Sequence, residues 1–176
     1  MKKYISLIPI FAVLLVCCNQ PSKETVSEKI APTDITVMSV DSELVKVSAL
    51  SPAELKDDSV FTDGSIPTSW KIAGVSNVKG LKLFIKQLQQ WVITNDKEML
   101  ASAVQYPLNN TIKTKEGLIV NYDAVFTKQV KLSLATTNFS QLFRNSQGVM
   151  LDAGKIWLAQ KGNNFKIIAI NYGGEK

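Results

Sequence analysis

The chain has 176 residues, a formal net charge of +5, two cysteines and no histidine. One ordinary core fits that length, and the missing histidine removes the commonest near-neutral general base and metal ligand, with the Ser-His-Asp and Cys-His arrangements. Nineteen dispersed lysines and the single arginine, Arg144, form no basic run, and neither zinc spacing, a phosphate loop nor an aromatic ladder for nucleic acid is present.

The N-terminus carries the strongest signal. Lys2 and Lys3 precede an apolar run from Ile5 to Val16, too short for a comfortable membrane span and shaped like a secretory signal. It ends in Leu15-Val16-Cys17-Cys18, which resembles a bacterial lipoprotein signal with Leu15 three residues before Cys18. That resemblance implies diacylglycerol and palmitate on Cys18, which becomes the first mature residue. Loss of Lys2 and Lys3 with the signal lowers the side-chain sum from +5 to +3. Asn19 is not the aspartate associated with inner-membrane retention, so the expected address is the outer membrane of a double-membraned cell envelope. An ordinary signal peptide or a single anchoring helix is the bland alternative.

Residues 19–33 are polar and bounded by prolines, as in a tether. Residues 34–69 form a leader whose order the sequence leaves open. Ile35, Val37, Leu44, Val45 and Val47 suggest two short strands, whereas Ser51-Pro52, Asp57-Asp58 and Asp63-Gly64 punctuate a loop. The main domain is expected over residues 70–176.

Val78 to Thr94 reads as a helix. Val78, Leu81, Phe84, Ile85, Leu88, Trp91 and Val92 form its apolar face, with Lys79, Lys82, Lys86, Gln87, Gln89 and Gln90 opposite. Asn95 to Glu98 has capping-box spacing for a second helix, stopped by Tyr106-Pro107. A strand over Leu108 to Thr114, a turn at Glu116-Gly117 and a short helix after Asn121 follow. The residues from Val130 to Phe143 are helical or irregular. Gly148–Leu151 and Lys155–Leu158 make a hairpin across Asp152-Ala153-Gly154, and Lys161–Asn164 turns into a last strand over Phe165 to Asn171. Helices followed by a strand meander give an α+β domain.

Several of these segments are similar to one known group. Asn95-Asp96-Lys97, Tyr106-Pro107-Leu108, Asn121 to Phe126, Leu142 to Asn145, Gln147 to Leu151 and Gly154 to Trp157 resemble small exported bacterial proteins of the nuclear transport factor 2-like superfamily. The resemblance spans Trp70 to Tyr172. It implies a strongly curved antiparallel sheet wrapped round N-terminal helices as a cone, a fold that hosts both binding proteins and aspartate-dependent isomerases and cyclases. No catalytic aspartate of that superfamily aligns with a residue of this chain.

Candidate functional residues are few. Asp123 sits at a helix start, where it stabilises the helix dipole; in an apolar cone it would instead be a raised-pKa base, with Tyr106 or Tyr122. Asp152 reads as a turn residue. Arg144 either fixes the connection before the Gly148 strand by an ion pair with Asp123 or Asp96, or anchors an acidic ligand or protein partner. Alternation places Trp157 opposite Ile156 and Leu158, and on an outer face it is an interface candidate. The expectation is a lipid-anchored binding protein whose ligand is a small apolar molecule or an envelope protein. A cofactor-free enzyme is the alternative. No metal, cofactor or nucleic acid is expected, and a homodimer is open.

Overall fold

A computed structural model of the chain describes residues 49–172. The signal, Cys18, the tether and the suggested strands before residue 49 lie outside them.

The leader opens with α1 (Pro52–Leu55), held by a capping box between Ser51 and Glu54 with proline at its first position. The longest helix, α2 (Val78–Ile93), starts where Asn77 accepts from the Gly80 amide. Four shorter helices follow: α3 (Lys97–Ser102), α4 (Lys115–Val120), α5 (Tyr122–Val125) and α6 (Lys128–Ala135). Strands β1 (Phe143–Asn145), β2 (Gly148–Leu151), β3 (Ile156–Lys161) and β4 (Asn164–Ile170) complete the described chain.

The helices and turns correct several sequence expectations. The cap of α3 is Asp96, whose side chain accepts from Met99 N, and Asn95 instead takes a positive φ of 53°. Leu108 and Ile112 share a single bridge in place of a strand. Thr114 caps α4 through the Gly117 amide, so Glu116-Gly117 lies within a helix and not in a turn. Phe143, expected at the end of a helical or irregular stretch, opens the first strand, Phe143–Asn145.

The four strands form one antiparallel meander in the order β1-β2-β3-β4. The sheet is open and not strongly curled, which overturns the expected nuclear transport factor 2-like cone. Strand length gives the physical reason. At about 3.3 Å per residue, strands of three to seven residues are too short to wrap round a helix layer. One irregularity, between Trp157 and Leu158, bends only the β3–β4 pair.

Both sheet edges are occupied. Beside β1, the Thr68 hydroxyl donates to the Arg144 carbonyl, and Arg144 Nε donates to Thr68 O at 2.6 Å. Beside β4, Gln105 N donates to Ile167 O, and Ile167 N donates to Ala103 O. These contacts satisfy backbone groups that an open edge would leave available for aggregation.

The core lies between helices and sheet. Val149, Leu151, Ile156, Leu158, Ile167 and Ile170 face inward with at most 2% exposure, against Leu81, Ile85, Leu88 and Leu134 of the helices. Phe84 of α2 meets Phe165 of β4 with ring centroids 6.0 Å apart. The apolar stripe of α2 therefore does what its period dictates. Its polar stripe faces water only in part: Lys79 and Gln90 are exposed, but the leader covers Lys82, which is fully buried, and Gln87 is 1% exposed, contrary to their expected places on the solvent side.

Candidate functional site: the outer face of the sheet

Alternation puts Phe143, Met150, Trp157 and Ala159 on the face opposite the core. The register confirms their proximity, since Met150 pairs with both Phe143 and Trp157 across neighbouring strands. The irregularity in β4 adds one residue to this side. Trp157 pairs with Ala169 and Leu158 with Ile167, so Ile168 joins Ala169 on the outer face while Ile167 and Ile170 stay buried. A Cβ built on Gly148 would lie 3.8 Å from Ile168 Cδ1, which bridges β2 and β4 over the outer side.

The result is an apolar patch of Phe143, Met150, Trp157, Ile168 and Ala169 on a sheet whose other face carries the core. Phe143 is 38% exposed and the other four are half-buried. Phe61 covers one margin, its ring 6.4 Å from that of Phe143. Lys161 and Lys166 lie at one end, where Lys161 pairs with Asn164 and Lys166 with Ala159. Lys155 lies at the other end and pairs with Asp152 at 3.4 Å. None of the four strands contains Asp or Glu.

The candidate base sits elsewhere. Asp123 has a side chain 75% exposed, with Oδ2 3.1 Å from Lys97 Nζ and Oδ1 3.6 Å from Lys131 Nζ. The Lys97 hydrogen bond, reinforced by the charges of Lys97 and Lys131, holds its carboxyl below the usual aspartate value. A carboxylate of that kind is a poor proton acceptor at neutral pH. The same two ammonium groups each lie 4.8 Å from the Tyr122 ring centroid, and Phe126 stacks on that ring at 5.0 Å. Tyr122 is 1% exposed and its hydroxyl has no partner among the described residues; burial first, then Asp123 and Asp96, push its pKa up to about 12. Tyr106 is half-buried and donates to the Ala101 carbonyl at 2.9 Å, and burial raises its pKa as well. Both phenols are therefore protonated at neutral pH.

Arg144 is enclosed. Only 6% exposed, it donates to Thr68 O and Leu142 O, stacks on Trp70 at 4.1 Å and lies 3.9 Å from Asp57. Its carboxylate is thus Asp57 of the leader and not Asp123 or Asp96, and its donors are committed within the fold. Asp152 is the expected turn residue, with φ of 45°, and it accepts from the Ser133 hydroxyl. Among the described residues no group of three or more His, Cys, Asp or Glu is placed to hold a metal, and no helix is long and apolar enough to cross a membrane.

Of the residues singled out in the sequence, Trp157 lies on the outer face, Asp123 and Tyr122 share a lysine pair, and Arg144 belongs to the leader contact. Met150 and Ile168 were not anticipated as site residues. Both were legible from alternation, Met150 along β2 and Ile168 after Asn164 and Lys166 along β4, but Ala169 reaches the face only through the β4 irregularity, which leaves no sequence signature. No family model, curated protein or solved structure matches the chain.

Proposed function

We propose that this chain is a lipid-anchored, non-catalytic binding protein of the bacterial envelope, attached through Cys18 and engaging its ligand with the outer face of its sheet. The observation that carries the reading is the apolar patch of Phe143, Met150, Trp157 and Ile168 on the face opposite the core, flanked by Phe61 at one margin and by the Gly154 turn beside Met150 and Trp157. A half-exposed tryptophan and methionine on a rigid strand pair are typical of contact surfaces. The Leu15 to Cys18 pattern supports the anchor, and the paired, exposed state of Asp123 removes the main support for proton-transfer chemistry. The closed edges of the sheet favour face contact over strand addition.

In-cell photo-crosslinking tests this reading, with a photoreactive phenylalanine analogue placed at position 157 or 123. Adducts at 157 and none at 123 are expected, together with fatty-acid labelling that Cys18→Ala abolishes. Adducts confined to 123, or labelling that survives Cys18→Ala, would contradict it.

A further inference from the structure

The chemistry of the outer face selects among its occupants. We propose that this face docks on an anionic lipid bilayer, with Trp157, Met150, Phe143 and Ile168 at the headgroup level and the exposed Lys161 toward lipid phosphates; the inference rests on the lipid-anchored reading above. Three observations carry it.

The first is charge. Lys161 stands exposed at one end of the patch and Lys155 stands at the other beside Asp152, Lys166 being committed to the Ser102 carbonyl, and Asp and Glu are absent from all four strands. A second copy laid face to face would bring these lysines together with no strand carboxylate to pair them. An anionic lipid surface supplies the complementary charge, and each nearby lysine strengthens attachment about fivefold.

The second is size. Four strands spaced at about 4.8 Å and about 10 to 23 Å long give a footprint of roughly 300 Å². A specific protein–protein contact needs about 800 Å² from each partner. A patch less than half that size is too small to hold a protein alone. It suffices for a surface to which the chain is already attached, because the tether makes docking an intramolecular event.

The third is reach and residue type. Thirty residues separate Cys18 from Ala49. That length spans at most about 100 Å, ample for the domain to lay any face on its own membrane. Tryptophan, with an apolar body and an indole N–H, concentrates at membrane–water interfaces, and lysine stems extend along apolar surface while their ammonium groups stay hydrated.

The test uses the lipidated full chain in vesicles of phosphatidylcholine and phosphatidylglycerol whose acyl chains carry bromine. Trp91 is 5% exposed, whereas Trp70 is half-buried like Trp157, so the part of the quenching that Trp157→Phe removes is the emission that belongs to the outer face. Quenching is expected with phosphatidylglycerol, should fall in Trp157→Phe, and should need about fivefold more anionic lipid in Lys161→Gln. Quenching no greater than in Trp157→Phe, with the protein still on the vesicles, would overturn the inference and leave the anchored-binding reading standing. Shielding of Trp157 from aqueous iodide before any lipid is added would also overturn it, since the face would then be covered by the chain itself. Failure of the protein to stay on the vesicles counts against the anchor instead, and the same quenching, with vesicles in excess, still decides whether the face docks.

Discussion

Asp57 Oδ1 lies 2.7 Å from Nζ of Lys82, a fully buried lysine in the longest helix. Lys82 Nζ also donates to the carbonyls of Leu55 and Lys56, while Asp57 Oδ2 accepts from Trp70 Nε1 at 2.6 Å and lies 3.9 Å from Arg144. One leader carboxylate thus joins α2 to the Arg144 strand. The leader is held again by Lys86 on Glu54, and by Gln141 and Ser140 on Asp58.

Removing Asp57 leaves a buried ammonium without its carboxylate, the Trp70 indole N–H short of a partner and Arg144 without its nearby negative charge. Asp57→Ala is expected to cost about 3 kcal/mol, and Lys82→Met less, because it removes the charge together with its need for a counterion. Urea unfolding of both variants checks the order. A cost below about 1 kcal/mol for Asp57→Ala would contradict the role of this pair.

Tyr122 offers a change in the opposite direction. Its buried hydroxyl has no partner among the described residues, so Tyr122→Phe removes a desolvated group at no loss of a hydrogen bond. The variant should be as stable as the parent or more stable by up to about 1 kcal/mol. A clear loss in thermal unfolding would show that the hydroxyl is satisfied.

The turn into β2 should not tolerate a side chain. Gly148 has φ of 137°, and a Cβ there would sit 2.3 Å from the backbone oxygen of Leu158. Gly148→Ala is expected to cost about 2–4 kcal/mol through overpacking and backbone strain. Because that oxygen belongs to the neighbouring strand, the loss should appear as a lower unfolding midpoint and not as a local change. A midpoint unchanged from the parent would contradict the close approach.

Stability should depend little on pH between about 5 and 8, since no histidine titrates there. At low pH, the carboxyls of Asp58 (bonded by Gln141 and Ser140), Asp152 (by Ser133) and Asp123 (by Lys97) are held below their ordinary 3.8. A depressed folded pKa contributes stability that is present above the unfolded value and lost as pH falls through the folded one. Unfolding midpoints should therefore drop only below about pH 4. At the alkaline end the sign reverses in pH. Tyr122, pushed from 10 to about 12, contributes stability present below pH 10 and lost between 10 and 12. A titration of the midpoint from pH 2 to 12 checks both limbs, and Tyr122→Phe should flatten the alkaline one.

Where the sequence was informative, one local rule acted alone. The period of Leu81, Phe84, Ile85 and Leu88 located α2 because the core takes the whole stripe. The hairpin from Gly148 to Leu158 followed from alternation either side of Asp152-Ala153-Gly154, three residues all at positive φ. Where the reading failed, a distant segment decided the outcome. Lys79, Lys82 and Lys86 recur at helical spacing and look like a solvated face, but leader carbonyls and carboxylates cover Lys82 and Lys86. Arg144 was expected to find Asp123 or Asp96, both nearer in sequence than Asp57. The curved cone was inferred from the order of short motifs, and order does not report strand length. For the outer face, alternation made Trp157 visible, whereas Ala169 arrived through a register shift set by tertiary pairing.

The central claim is that the outer face of the sheet is the contact surface of the anchored protein, and hydroxyl-radical footprinting tests it most directly. Oxidation of Met150 and Trp157 would be compared between the full chain in intact envelopes and the same chain purified in detergent and stripped of envelope partners. Met99, half-buried in the helical layer, serves as the internal reference. The account predicts that Met150 and Trp157 are protected in the envelope and oxidised after purification, with Met99 unchanged. Equal oxidation of Met150 and Trp157 in both preparations would contradict it.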